Sequence, residues 1–258
     1  MPMPTPTADL IAHRGASFDA PENTLASIQL AWKQQADAVE IDVQFTKDGQ
    51  LVVIHDDNTH RTAGLRKKVA AQTLAELQTL DVGRWKHPRW TGERIATLRE
   101  AFAAIPAGKR LFVEIKCGPE CIPRFLEDYR QSKLKPEQVV PIGFSLETMR
   151  RLKQALPELE VYWAVEFKRT LQGWSPAAKR LIEQVKAAGL QGLDVSGRGP
   201  VNASFTREVH AAGLKLYIWT VDSPALARKL RDAGVDGLTT NKPGWLREQL
   251  AGPSEHVP

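Results

Sequence analysis

Three times in its second half the chain closes an amphipathic stretch on Ala-Gly and enters an apolar run at once: Ala188-Gly189-Leu190, Ala212-Gly213-Leu214 and Ala233-Gly234-Val235. Glycine accepts the left-handed backbone that ends a helix, because it has no Cβ to clash. Each repeat therefore predicts a helix, a tight turn and a strand. Strands joined through helices re-enter a sheet in the same direction, so this alternation calls for parallel pairing. From Leu98 onward the rhythm predicts strands at 111–116, 139–144, 161–165, 192–196, 216–221 and 237–240. With strands at Ile11 and Ile41 the total reaches about eight in 258 residues, which predicts a (β/α)8 TIM barrel over 8–250. A doubly wound sheet is the alternative.

The first hundred residues depart from the rhythm. Leu10-Ile11-Ala12-His13-Arg14-Gly15 reads as a short strand leaving through a glycine, and Pro21-Glu22-Asn23-Thr24 opens a helix capped by Asn23 or Thr24. Leu25, Ile28, Leu30 and Trp32 supply its apolar face. Val39-Glu40-Ile41-Asp42-Val43 alternates with period two, so as a strand it sends three apolar side chains one way and two carboxylates the other. A turn at Lys47-Asp48-Gly49 returns the chain along Leu51-Val52-Val53-Ile54 and delivers His55 beside those carboxylates. Alternation then stops. Residues 56–97 are expected to form a small insertion near the active-site mouth after the second strand, with one short helix carrying Leu74, Leu77 and Leu80. Its Trp85 and Trp90 suit either a lid over a cleft or anchors onto the body.

Composition narrows the function classes. An apolar fraction of 42% excludes a disordered chain, and a net charge of +5 favours an anionic ligand. No dense Lys/Arg run is interleaved with aromatics, so nucleic acid is not expected as a partner. No stretch could span a membrane and Met1-Pro2-Met3-Pro4 begins no signal peptide, so no stable membrane insertion and a cytoplasmic location are expected. Cys117 and Cys121 are too few for a disulfide framework or a zinc site, and are read as reduced, structurally incidental thiols.

Val113-Glu114-Ile115-Lys116 repeats the layout of Val39-Glu40-Ile41-Asp42. Inward carboxylates are costly in a barrel packed with apolar side chains unless a cation joins them. Glu40, Asp42 and Glu114 are therefore the expected ligands of a divalent metal, and an all-oxygen set favours Mg2+ or Ca2+ over zinc. The alternative is surface carboxylates in salt bridges. His13 and His55 are the two histidines placed at the ends of apolar strands, where a pair of imidazoles can give and take protons; ligation of the metal by either is a second use for them. Arg14 and Lys116 put fixed positive charge at the same mouth, a clamp for a phosphoryl oxygen. Trp219 offers an apolar wall for the carbon part of a substrate, or serves as a core tryptophan.

Taken in order, His13-Arg14-Gly15, Pro21-Glu22-Asn23-Thr24, Glu40-Ile41-Asp42, His55-Asp56, Glu114-Ile115-Lys116, Trp219-Thr220-Val221 and Gly234-Val235-Asp236-Gly237 resemble the glycerophosphodiester phosphodiesterase family from about Leu10 to Leu246. The resemblance implies a barrel with an insertion after the second strand. It also implies a divalent metal on Glu40, Asp42 and Glu114, acid and base roles for His13 and His55, phosphate contacts from Arg14 and Lys116, and Trp219 facing glycerol. The implied reaction converts small-molecule glycerophosphodiesters, such as glycerophosphocholine or glycerophosphoethanolamine, to sn-glycerol 3-phosphate and an alcohol. Phe18-Asp19, His60-Arg61-Thr62 and Asn241-Lys242-Pro243 depart from the family pattern, and Phe18 with the insertion is expected to border the leaving-group side. Two rival readings are a lysophospholipase D, which needs an apolar groove or membrane-facing patch, and a non-catalytic barrel that binds phosphodiesters.

Overall fold

The computed structural model describes residues 8–171 and 173–251. Eight parallel strands close into a barrel: β1 (Asp9–His13), β2 (Ala38–Phe45), β4 (Arg110–Ile115), β5 (Val139–Gly143), β6 (Tyr162–Val165), β9 (Gly192–Ser196), β10 (Lys215–Trp219) and β11 (Gly237–Thr240). Pairing of β1 with both β11 and β2 completes the ring. The hairpin predicted by Asp48-Gly49 is present, with β3 (Leu51–Val53) antiparallel to the end of β2. Helices α1 (Leu25–Lys33), α4 (Leu98–Ala103), α5 (Ile122–Ser132), α6 (Leu146–Ala155), α7 (Ala178–Ala187), α8 (Ala203–Ala211), α9 (Pro224–Asp232) and α10 (Pro243–Ala251) follow the barrel strands and surround them. The architecture is a (β/α)8 TIM barrel.

The period-two pattern sorts side chains as the alternation requires. Val39, Ile41 and Val43 face outward into the core between strands and helices, while Ile11, Ala38, Phe112, Tyr162 and Tyr217 fill the inside. Tyr162 and Tyr217 stack at 5.2 Å between ring centroids, plugging the barrel below the level where charged residues begin. Thr24, one of the two expected caps, closes the start of α1 in a reciprocal capping box with Ser27, worth about 1 kcal/mol. Gly189, Gly213 and Gly234 take positive φ after their helices, as the Ala-Gly punctuation demands.

Three features differ from expectation. The insertion holds a second short helix, α2 (His60–Ala63), besides α3 (Leu74–Leu77), and it rests on its own cluster of Val52, Ile54, Val69, Leu77, Val82 and Ile95. Strand β10 stops at Trp219 rather than continuing to 221. A hairpin of β7 (Lys168–Thr170) and β8 (Gly173–Ser175) projects after β6; its strands are exposed throughout, so no apolar alternation marks them. Trp85 and Trp90, for which lid and anchor were both open, stand outside the lining of the central cavity: the Trp85 indole donates to Val82 O, and Arg89 stacks over Trp90. The Pro-rich start, Gly252-Pro253 and His256 lie outside the described residues.

Candidate active site

Strand register assembles the site. Between β1 and β2 His13 stands opposite Glu40, and between β2 and β4 Asp42 stands opposite Glu114. Parallel partners share a face, so all four side chains point inward at the carboxyl end of the barrel, where catalytic groups of this fold gather. Lys116 follows one residue after β4, tied back by its N–H to Val43 O.

Arg14 leaves β1 at φ 56°, a left-handed conformation that costs a non-glycine residue about 1 kcal/mol. That turn aims its N–H at Glu40 Oε2 (2.9 Å) and its guanidinium at Glu22 Oε1 (2.8 Å) and Asp42 Oδ2 (3.2 Å). Gly15 continues the turn at φ 78°, and a Cβ there would come within 2.4 Å of Ser27 Oγ, so no larger residue fits. Asn23, also left-handed, grips Asp42 at both ends of its amide: Nδ2 donates to Oδ2 (2.8 Å) and Oδ1 accepts from the Asp42 N–H (3.0 Å).

Each histidine is held through Nδ1. His13 Nδ1 lies 2.8 Å from Asn241 Oδ1, and Asn241 Nδ2 donates to Asp222 Oδ2, an orientation that leaves the amide oxygen to accept from His13. His55 Nδ1 lies 2.8 Å from Asp56 Oδ1. Hydrogen bonds from Arg61 hold Asp56 ionised, with its pKa down at about 2, so this carboxylate accepts and His55 Nδ1 donates. In both rings Nε2 is left for chemistry. His13 Nε2 is 3.9 Å from Glu40 Oε2.

All eight residues expected from the sequence converge. His13, Arg14, Glu40, His55, Glu114, Lys116 and Trp219 line a cavity of about 150 Å3, and Asp42 lies buried beneath it. Trp219 packs edge-on to Phe144 with centroids 5.7 Å apart, and its indole donates to Asp194 O. Four contributors were not anticipated from the sequence: Asn23 and Asn241 as positioning groups, Phe144 as a wall, and Asp194 as a buried carboxyl in the lining. Asp194 stands at an inward position of an apolar strand, the signal that singles out Glu40 and Glu114.

The acidic cluster is electrostatically unsettled. Burial, then Asp42 and Glu114, push the Glu40 carboxyl well above its ordinary range. Burial and the charge on Asp42 raise Glu114 to about 7 despite Lys116. Asp42 is depressed: burial opposes ionisation, but Lys116, Arg14 and His55 with the Asn23 hydrogen bond outweigh it. Burial and Arg14 lower His13. Lys116 Nζ sits 2.6 Å from Glu114 Oε1 and 3.1 Å from Asp42 Oδ1, so one ammonium serves two of the three carboxylates. Glu40 Oε1 is buried with no hydrogen-bond partner, and ligand oxygens of the three residues lie within 4.8 Å of one another. Three buried carboxylates that converge, with one oxygen unpartnered and a single lysine between the other two, fit a hard divalent cation. The cluster includes neither histidine.

Fixed cations and proton carriers gathered over buried carboxylates suit an anionic ester, and they define the class as a barrel hydrolase of phosphate esters. The narrower assignment follows from likeness to known proteins. The model of the glycerophosphoryl diester phosphodiesterase family matches residues 13–245, and the chain belongs to that family. It is 32% identical to a glycerophosphodiester phosphodiesterase of Bacillus subtilis, over 94% of this chain and 86% of that protein. It is also 32% identical to one of Caldanaerobacter subterraneus, over 92% and 95%. A phosphodiesterase of Oleispira antarctica, solved in complex with the product sn-glycerol-3-phosphate, superposes with a TM-score of 0.87 at 31% identity, covering 95% of this chain and 98% of that one.

Proposed function

We propose that this protein hydrolyses glycerophosphodiesters, glycerophosphocholine or glycerophosphoethanolamine among them, to sn-glycerol 3-phosphate and the free alcohol. The observation that carries this reading is the convergence of three buried carboxylates, their ligand oxygens within 4.8 Å of one another, with two histidines at a single cavity of a chain of this family. The working unit is the barrel of residues 8–250, with 56–97 as an insertion beside its mouth. Glu40, Asp42 and Glu114 would hold a divalent metal, Mg2+ or Ca2+, which supplies positive charge for phosphoryl oxygens.

The chain's own groups do the rest. Arg14 and Lys116 bind phosphoryl oxygens and stabilise charge that builds as the nucleophile adds. One histidine takes the proton of the attacking water at Nε2 as the new P–O bond forms. The other gives a proton from Nε2 to the departing alkoxide as the ester P–O bond breaks. The carboxylate behind His55 and the amide behind His13 support this use, because each keeps a proton on Nδ1 and frees Nε2. Trp219 and Phe144 offer an apolar wall for the glycerol carbons.

The test is release of glycerol 3-phosphate from glycerophosphocholine by purified protein with Mg2+, with Ca2+ and with a chelator. Release that a chelator abolishes and either metal restores is expected. No release with either metal, from protein shown to be folded, rejects the reaction. A 31P spectrum taken during turnover distinguishes direct water attack from a cyclic glycerol phosphate formed by the neighbouring hydroxyl.

A further inference from the structure

Exposed apolar side chains are not spread over this molecule. Among the described residues seven large ones are exposed, and each lies in a segment at the carboxyl end of the barrel. Phe18 follows β1, Trp85 belongs to the insertion, Leu171 and Trp174 form the β7–β8 hairpin after β6, and Trp245 is in the first turn of α10 after β11. None lies in the loops at the opposite end of the barrel. Isolated exposed apolar residues are ordinary on any surface, but their confinement to one rim is not.

Cations are threaded between them. Lys86 Nζ is 5.9 Å from the ring centroids of both Phe18 and Trp85, and Lys242 Nζ is 4.4 Å from Phe18 and 5.1 Å from Trp245. Trp85, Lys86, Phe18, Lys242 and Trp245 therefore form one continuous row of alternating aromatic and cationic groups. Lys86 also donates to Ser17 O and Arg61 pairs with Glu22, so the insertion and the β1–α1 loop present this row as one piece. The insertion carries eight Lys/Arg against five Asp/Glu, and across the barrel Lys168 and Arg169 stand beside Leu171 and Trp174.

Aromatic rings that settle at headgroup depth, flanked by ammonium groups that meet phosphates, are the side chains of a membrane–water interface. A protein partner fits less well, because lysine is depleted from the centres of protein interfaces and here two lysines stand inside the row. We propose that the cavity-bearing rim is a peripheral docking surface for an anionic lipid surface, with Phe18, Trp85 and Trp245 entering the headgroup layer while Lys86 and Lys242 pair with lipid phosphates. The inference goes beyond the proposed reaction, since it concerns where the cavity mouth faces and not which bond is broken. Its test reads no catalysis, so either can fail alone.

Purified full-length protein is sedimented with vesicles of phosphatidylcholine alone and of an equal mixture of phosphatidylcholine and phosphatidylglycerol. Protein should sediment with the mixed vesicles, show a blue shift of tryptophan emission, and be released by high salt. Lys86→Glu/Lys242→Glu should weaken this binding by about tenfold or more. Trp85→Ser/Trp245→Ser should reduce both binding and the blue shift. Lys229→Glu, on α9 away from the rim, should leave binding unchanged. Circular dichroism and melting temperature establish that each variant is folded. Failure to sediment with the mixed vesicles at low salt overturns the proposal. So does equal loss in Lys229→Glu and the rim variants, which would mark a diffuse attraction to a basic protein.

Discussion

Removing one negative charge from the acidic cluster should stabilise the protein when metal is withheld and weaken it when metal is supplied. Glu114→Gln is the cleanest version, because the amide keeps the size of the carboxyl. In the metal-free protein the Glu114 carboxyl titrates at about 7 instead of its ordinary 4.5, chiefly through burial and the charge on Asp42. A folded-state pKa above the unfolded value means that stability present below about 4.5 is lost as pH rises through about 7. That interval corresponds to about 3 kcal/mol of penalty for ionised Glu114 at pH 8, and glutamine does not pay it. For a chain of this size the difference corresponds to a rise of roughly 6–12 °C in melting temperature. In chelator the variant should therefore melt above the wild type at pH 8, and the gap should close towards pH 4.5. With millimolar Mg2+ or Ca2+ the order should invert, because ligand binding stabilises the wild type and the variant has lost a ligand charge. Differential scanning fluorimetry across pH, with and without metal, reads both effects. A variant no more stable than the wild type in chelator at pH 8 would refute the account of the cluster as a strained, cation-requiring site.

His13→Ala and His55→Ala should each lower kcat by roughly 10²–10⁴-fold with unchanged circular dichroism, the range for loss of a general acid or base; near-normal turnover in both removes them from proton transfer. Asn23→Ala leaves the buried Asp42 without both amide contacts and puts alanine at φ 57°, so urea unfolding should show a loss of about 2–4 kcal/mol, and a loss below about 0.5 kcal/mol would contradict the contacts described. Gly15→Ala drives a Cβ into Ser27 in left-handed backbone and should cost roughly 3 kcal/mol or more, with reduced activity because Arg14 and Glu40 shift with the turn; a fully stable, active Gly15→Ala protein would show that this turn can relax.

Much of the site was legible because two periodicities coincide. Alternation in β2 and β4 marks Glu40, Asp42 and Glu114 as inward-facing, and parallel pairing carries that orientation across strands, so local pattern and global position agree. His13 and His55 were legible as polar ends of apolar runs. Asp194 obeys the same rule and could have been found by it. Asn23 was legible only as a helix-cap candidate, whereas Thr24 caps α1 and the Asn23 amide holds Asp42. Asn241 reaches His13 across 228 positions of sequence, a distance over which no local pattern carries information. The β7–β8 hairpin left no trace in the hydrophobic pattern because neither of its faces is buried.

By itself, the sequence determined the eight barrel strands with the helices between them, their parallel pairing and the identity of eight converging side chains. Those follow from backbone preferences and from the cost of turning an apolar side chain towards water, both of which act over a few residues. Only the tertiary structure decided the register that sets His13 against Glu40 and Asp42 against Glu114, the groups that pin each imidazole, and the gathering of exposed aromatics and lysines on one rim. Ring closure brings β1 against β11 and β2 at once, and contacts made by closure depend on every strand between. The convergence of the acidic cluster and the unpartnered Glu40 Oε1 within it belong to that second kind, since a carboxylate lacks a partner only once all its neighbours are in place.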